Sequence, residues 1–107
     1  MKIFNKYFKV LILLLVIIFS KSAYADSKMK LGLNVFKNKG TCGTCHTLQA
    51  AESLGEIGPN LDKLKPQMNQ MIFVITNGIG VMPAWEGILT YEEIDAVAYF
   101  IFNSTNK

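Results

Sequence analysis

The sequence contains no arginine, one histidine and two cysteines among 107 residues. A single histidine excludes any site built on two imidazoles. Two cysteines and one histidine fall one short of the four ligands of a structural zinc site, unless an acid fills the gap. After residue 26 there is no repeat, no low-complexity segment and no strand pattern. Acidic residues are absent from the first 25 positions.

Those 25 positions form a unit of their own. "MKIFNKYFK" brings Lys2, Lys6 and Lys9 ahead of an uninterrupted apolar run, Val10 to Phe19. "SKSAYAD" follows, with Ala23 and Ala25 as an A-x-A pair. A basic start, a short apolar stretch and small residues at the end describe a secretory signal cleaved after Ala25. The run is short of the roughly 20 apolar residues that span a membrane, so an uncleaved anchor is the lesser alternative. No cysteine follows the run to accept a lipid. The domain organisation is therefore a signal peptide, residues 1–25, and one domain, residues 26–107.

Removing the signal removes four lysines and no acids. Seven lysines remain against eight acids, a net charge of about −1 in place of +3. A nucleic-acid partner loses its electrostatic basis at that balance. So short a mature chain is marginal on its own core, and such domains lean on a disulfide, a metal or a cofactor. A disulfide between Cys42 and Cys45 would close too small a loop to contribute much.

Three helices are legible in the mature chain. "DSKMKLGLNVFKNKG" carries an apolar stripe at Leu31, Val35 and Phe36, with Asp26 or Ser27 as a cap and Gly40 as a stop. Gly32 inside it costs about 1 kcal/mol against alanine, and suggests close approach of another element. Thr47 to Leu64 reads as loop, with a helical turn near Gln49 to Leu54. In "PQMNQMIFVITNG", Met68, Met71, Ile72 and Ile75 fall on one helical face, Pro66 suits a first turn and Gly78 suits a C-terminal cap. "IGVMPAWEGIL" is broken by Gly80 and Pro83, so it is a loop, yet a strongly apolar one that needs something apolar to lie against. Thr90 and Glu93 form a capping box for the last helix, whose buried stripe is Ile94, Val97, Ala98 and Ile101. Asn103-Ser104-Thr105 matches a glycosylation sequon by chance, in a tail expected to fray.

Both cysteines and the histidine lie in "CGTCH", Cys42 to His46. Two thiols at C-x-x-C spacing can add across the two vinyl groups of a haem, and the histidine next to the second thiol then sits beneath the iron. A thioredoxin-like redox pair expects a βαβ setting, and no strand is visible. Covalent haem c with its iron answers more: a broad apolar ring supplies the missing core and a partner for the apolar loop. His46 is one axial ligand, and no second histidine exists. Candidates for the other are Met29, Met68, Met71, Met82, a lysine or an open site. Met68 and Met71 fit core packing. Met82 lies in the apolar loop, where a thioether can descend on the iron.

The order "CGTCH", then "GPNL" at Gly58 to Leu61, then "GIGVMPAW" at Gly78 to Trp85, then a capped C-terminal helix, resembles class I c-type cytochromes. The resemblance covers about Leu31 to Phe102. It implies an all-α fold, three main helices and loops wrapped round one covalently bound haem. It implies crossing of the first and last helices near Gly32, Phe36 and Phe100. It implies His46 and Met82 as axial ligands, and the Pro59 carbonyl as acceptor of the His46 Nδ1 proton. How the propionates are held stays open: arginine often serves, and here Trp85 N–H, lysines or backbone amides must do so.

Two protein ligands leave iron no vacancy for substrate, which points to electron transfer and away from catalysis. The function expected is a periplasmic single-haem carrier with transient redox donors and acceptors docking at the haem edge. A dedicated haem subunit of a larger periplasmic oxidoreductase is the alternative. A haem enzyme or gas sensor with a displaceable Met82 is a third reading.

Overall fold

The first helix, α1, takes in the whole apolar run and continues past it, Lys2–Asn34. The structure is a computed structural model and describes residues 2–107. At about 1.5 Å per residue, the 33 residues of α1 run roughly 50 Å, which sets the long dimension of the 67 × 28 × 22 Å molecule. Val10 to Phe19 pack against nothing in the chain and stay exposed. The stretch from Lys2 to Lys39 is long and apolar enough to cross a membrane, a property that signal sequences share. In the full chain neither Asp26 nor Ser27 caps a helix, because α1 passes through both. The first helical N–H groups lie near Lys2, far ahead of Asp26 and Ser27.

The last third of α1 is where the fold begins. Gly32, Val35 and Phe36 share one face and are buried. They meet helix α4, Tyr91–Thr105. A Cβ on Gly32 would overlap the Ala96 carbonyl oxygen and lie 2.5 Å from Phe100 Cβ. Glycine is thus the residue that lets the two backbones touch. Beside it the Phe36 and Phe100 rings pack with centroids 6.2 Å apart and planes tilted by 59°, an ordinary aromatic pair geometry. The crossing implied by the sequence pattern is present.

After Asn34 the helix widens into a π turn, Val35–Lys39, closed by Gly40 N–H donating to Val35 O at 2.6 Å. Gly40 ends the turn with right-handed angles, not the left-handed ones usual for a glycine stop. Lys39 leaves this turn to pair with Glu93. Glu93 also closes the capping box of α4, in which Thr90 N–H donates to Glu93 Oε1 at 3.0 Å and Glu93 N–H to Thr90 Oγ1 at 3.1 Å. One carboxylate so anchors both the start of α4 and the turn that follows α1. A second tie joins the same helices: Lys28 Nζ lies 2.6 Å from Asp95 Oδ2 and 4.7 Å from the Tyr99 ring centre.

Between these helices the chain corrects two expectations. A strand-free chain was expected, but Thr47–Leu48 (β1) and Ser53–Leu54 (β2) pair antiparallel around a 3₁₀ turn, Gln49–Ala51. Two residues per strand leave no alternating pattern to read. Ser53 Oγ holds the ribbon by donating to His46 O at 2.9 Å and accepting from Leu48 N–H at 3.0 Å. Leu61–Leu64, expected as loop, forms a short helix, α2, whose cap Asn60 accepts from Lys63 N–H at 3.3 Å.

Helix α3 is Met68–Asn77 with Gln67 as its cap, so Pro66 precedes the helix instead of occupying its first turn. Met71 and Ile75 are buried and Met68 and Ile72 half-buried, as the spacing requires. Gly78 ends α3 with φ +76°, and a Cβ there would lie 2.8 Å from both Met82 O and Ala84 N. The sequon tail does not fray: Thr105 is buried in α4 and donates to Ile101 O at 3.0 Å.

Candidate haem-binding site

The turn that presents the thiols is set by Thr41, which takes a left-handed conformation (φ +48°) after Gly40. Cys42–Thr44 then form a 3₁₀ turn, with Cys45 N–H and His46 N–H both donating to Cys42 O at 3.1 and 3.0 Å. The turn is braced by a loop passing over it: Gly58 N–H donates to Cys45 O at 2.7 Å. Gly55 lies so close to this turn that a Cβ would sit 2.6 Å from Gly43 O and His46 N. Both thiols are free. Burial pushes the Cys42 thiol up to about 11. Such a thiol is protonated near neutral pH, unlike the low-pKa cysteine of a dithiol redox motif.

His46 is fixed from two sides. Its Nδ1 lies 2.8 Å from the Pro59 carbonyl oxygen. Gly58 lies against the ring, where a Cβ would come within 2.5 Å of His46 Cε1. The carbonyl can only accept, so in the neutral ring the proton sits on Nδ1 and Nε2 keeps its lone pair.

Nearby lies a cavity of about 660 Å³, within the range of roughly 300–1,000 Å³ usual for cofactor sites. Its wall brings together Cys42, His46, Pro59 and Met82, which lie up to 40 residues apart in sequence. Phe36, Leu61, Met71, Val74, Ile75 and Ile101 line it with apolar surface from the turn after α1 and from α2, α3 and α4. Cys45 and Trp85 do not reach the wall. Trp85 is half-buried against the core, its backbone N–H donating to Ile75 O at 2.9 Å. Of the apolar loop, Ile79 and Met82 face the cavity, while Val81 turns outward and is 88% exposed. Sequence reasoning passed over Asn69 and Gln70, the polar residues that flank Met71 on α3 and also line the cavity. The signal was their place between two apolar stripe positions. A large apolar cavity holding a half-buried thiol, an imidazole with a free Nε2 and a thioether fits a flat ring carrying a metal.

Residues 27–101 match the family described as cytochrome c oxidase, cbb3-type, subunit III. The chain belongs to this family of small monohaem class I c-type cytochromes. A crystal structure of the c-type cytochrome SorU from Sinorhizobium meliloti is 46% identical and has a TM-score of 0.70, covering 77% of this chain and 95% of that one. Cytochrome c6 from Chlorolobion braunii is 32% identical over 91 residues, 73% of this chain and 92% of the relative. Chloroplastic cytochrome c6 from Chlamydomonas reinhardtii is 34% identical over 82 residues, 69% of this chain but only about half, 53%, of the relative. This class I cytochrome holds one covalently bound haem c with its iron. It is a haem c electron carrier and not an enzyme.

Proposed function

We propose that this cytochrome is an exported, periplasmic single-haem carrier whose iron is ligated by His46 and Met82. The observation that carries the reading is that both residues line the same apolar cavity as Cys42. When bound, haem c supplies a one-electron ferric–ferrous couple. Cys42 and Cys45 hold it by thioether bonds, and the Pro59 carbonyl fixes the His46 tautomer that ligates iron. A Met82 thioether is a soft ligand that favours the ferrous state, and the apolar wall disfavours the extra ferric charge. Both raise the potential.

Partners on this reading are a redox donor and an acceptor that dock transiently over the haem edge. Ile79, 65% exposed, and Val81 form an apolar rim next to the cavity, with Ala84 beside them. A mature charge near −1 supports apolar docking over strong basic steering. A second reading, a dedicated haem subunit of a larger oxidoreductase, is favoured by the description of the matched family as an oxidase subunit. Co-purification at low concentration separates the two.

Met82→Ala is the deciding variant. The covalent haem is retained, the red-region Met–Fe charge-transfer band of the ferric protein disappears, and the ferrous protein gains rapid carbon monoxide binding. Survival of the band would remove Met82 from the ligand set. Export is tested by the mass of the mature protein, expected to begin at Asp26. A retained 1–25 segment would make the carrier membrane-tethered instead.

A further inference from the structure

An apolar cavity explains the ring of a haem but not its two propionate carboxylates. A carboxylate that leaves water without hydrogen-bond donors is strongly disfavoured. Arginine, the usual bidentate donor to carboxylates, is absent from the chain. All eleven basic residues are lysine, and none of them lines the cavity. Trp85 does not line it either. Besides Cys42 and His46, the polar side chains on the wall are Asn69 and Gln70.

These two residues sit on the first turn of α3 and are both exposed, which places them at the mouth of the cavity. Asn69 Oδ1 accepts from Gln70 N–H at 3.0 Å. With its oxygen engaged by backbone, the Asn69 amide has its NH₂ left to donate. Among the described residues neither side-chain amide nitrogen donates to a protein acceptor. Two carboxamides therefore offer unused donors at one place on an otherwise apolar wall.

We propose that Asn69 and Gln70 hold the haem propionates, their side-chain N–H groups donating to the carboxylate oxygens at the start of α3. The inference rests on the haem reading above. A ring held in this cavity would have its charged edge toward the exposed donors at the mouth and its apolar edges toward wall residues such as Phe36, Met71 and Ile101. Hydrogen bonds to an ionised acceptor are the strong kind. Neutral amides add no positive charge, so the propionate charge is less compensated than it would be beside a guanidinium.

The test uses the neutral, near-isosteric variants Asn69→Leu and Gln70→Met, alone and together, in the holoprotein. Both sites are exposed, so folding is preserved. The propionate-bending band in the resonance Raman spectrum is expected to move to lower frequency as donors are lost. The midpoint potential is expected to fall, because less-compensated negative charge near the iron stabilises the ferric state. Trp85→Phe should leave the band in place. An unchanged band in the double variant, or a shift in Trp85→Phe comparable to that expected of the double variant, would overturn the assignment. A pyridine haemochrome spectrum showing one haem c per chain in each variant separates failure of this inference from failure of the haem reading.

Discussion

His46 Nδ1 and the Pro59 carbonyl oxygen lie 2.8 Å apart, although 13 residues separate them in sequence. The contact holds because Gly58 has no side chain. Its absent Cβ would meet His46 Cε1 at 2.5 Å and Nδ1 at 2.9 Å.

Gly58→Ala should therefore push the imidazole off its acceptor. The expected cost is about 1–3 kcal/mol, typical of overpacking, read as a lower unfolding temperature of the holoprotein. The ferric red-region band should weaken in the same variant. A variant with the wild-type band and the wild-type unfolding temperature would show that the ring has room to spare.

Gly32 gives a prediction whose sign is diagnostic. At an exposed helical site, glycine to alanine stabilises by up to about 1 kcal/mol. At position 32 the added methyl meets the Ala96 backbone and Phe100 Cβ, neither of which is a flexible side-chain end. Gly32→Ala should cost roughly 2 kcal/mol, a fall of about 8–16 °C in Tm for a domain of this size. A rise in Tm would mean that α1 and α4 do not touch here.

The Lys39–Glu93 pair makes a pH prediction. The Lys39 ammonium, helped by the Thr90 backbone N–H and hydroxyl, holds the Glu93 carboxyl below its ordinary value of 4.5. A depressed folded pKa contributes stability above pH 4.5 and loses it as the pH falls through the depressed value. Glu93→Gln should lower Tm at pH 7, and the gap to wild type should close below pH 4.5. A gap that stays constant as the pH falls would assign the loss to the capping box alone.

Removing both thiols tests the attachment itself. Cys42→Ala with Cys45→Ala should yield no stable holoprotein, because the ring supplies core that so small a domain cannot. The readouts are haem stain on a denaturing gel and circular dichroism at helical wavelengths. A folded, haem-free and functional double variant would defeat the account.

Much of this protein was legible in its residues because the signals are local. "CGTCH" fixes thiol spacing and the following imidazole within five positions. The Thr90–Glu93 capping box needs one helical turn, and the stripes of α3 and α4 repeat every three or four residues. The ribbon of β1 and β2 was not legible, since two residues show no periodicity and Ser53 is what holds it. Nor was the cap of α1, because the helix runs unbroken through Asp26 and Ser27.

By itself the sequence determined the chemistry on offer: a thiol pair, one imidazole and the thioethers of Met29, Met68, Met71 and Met82, with no arginine and no second histidine. Covalent reactivity and helical periodicity depend on residue type and short spacing, so a linear reading suffices for them. Only the tertiary structure decided which side chains share a wall. It brought Met82 to the cavity and left Trp85 off it, turned Val81 outward, and set Asn69 and Gln70 at the mouth. Those outcomes depend on how closely α1 and α4 approach at Gly32 and on where the chain turns at Gly58 and Gly78. Such choices are made by packing between distant segments, which no local pattern records.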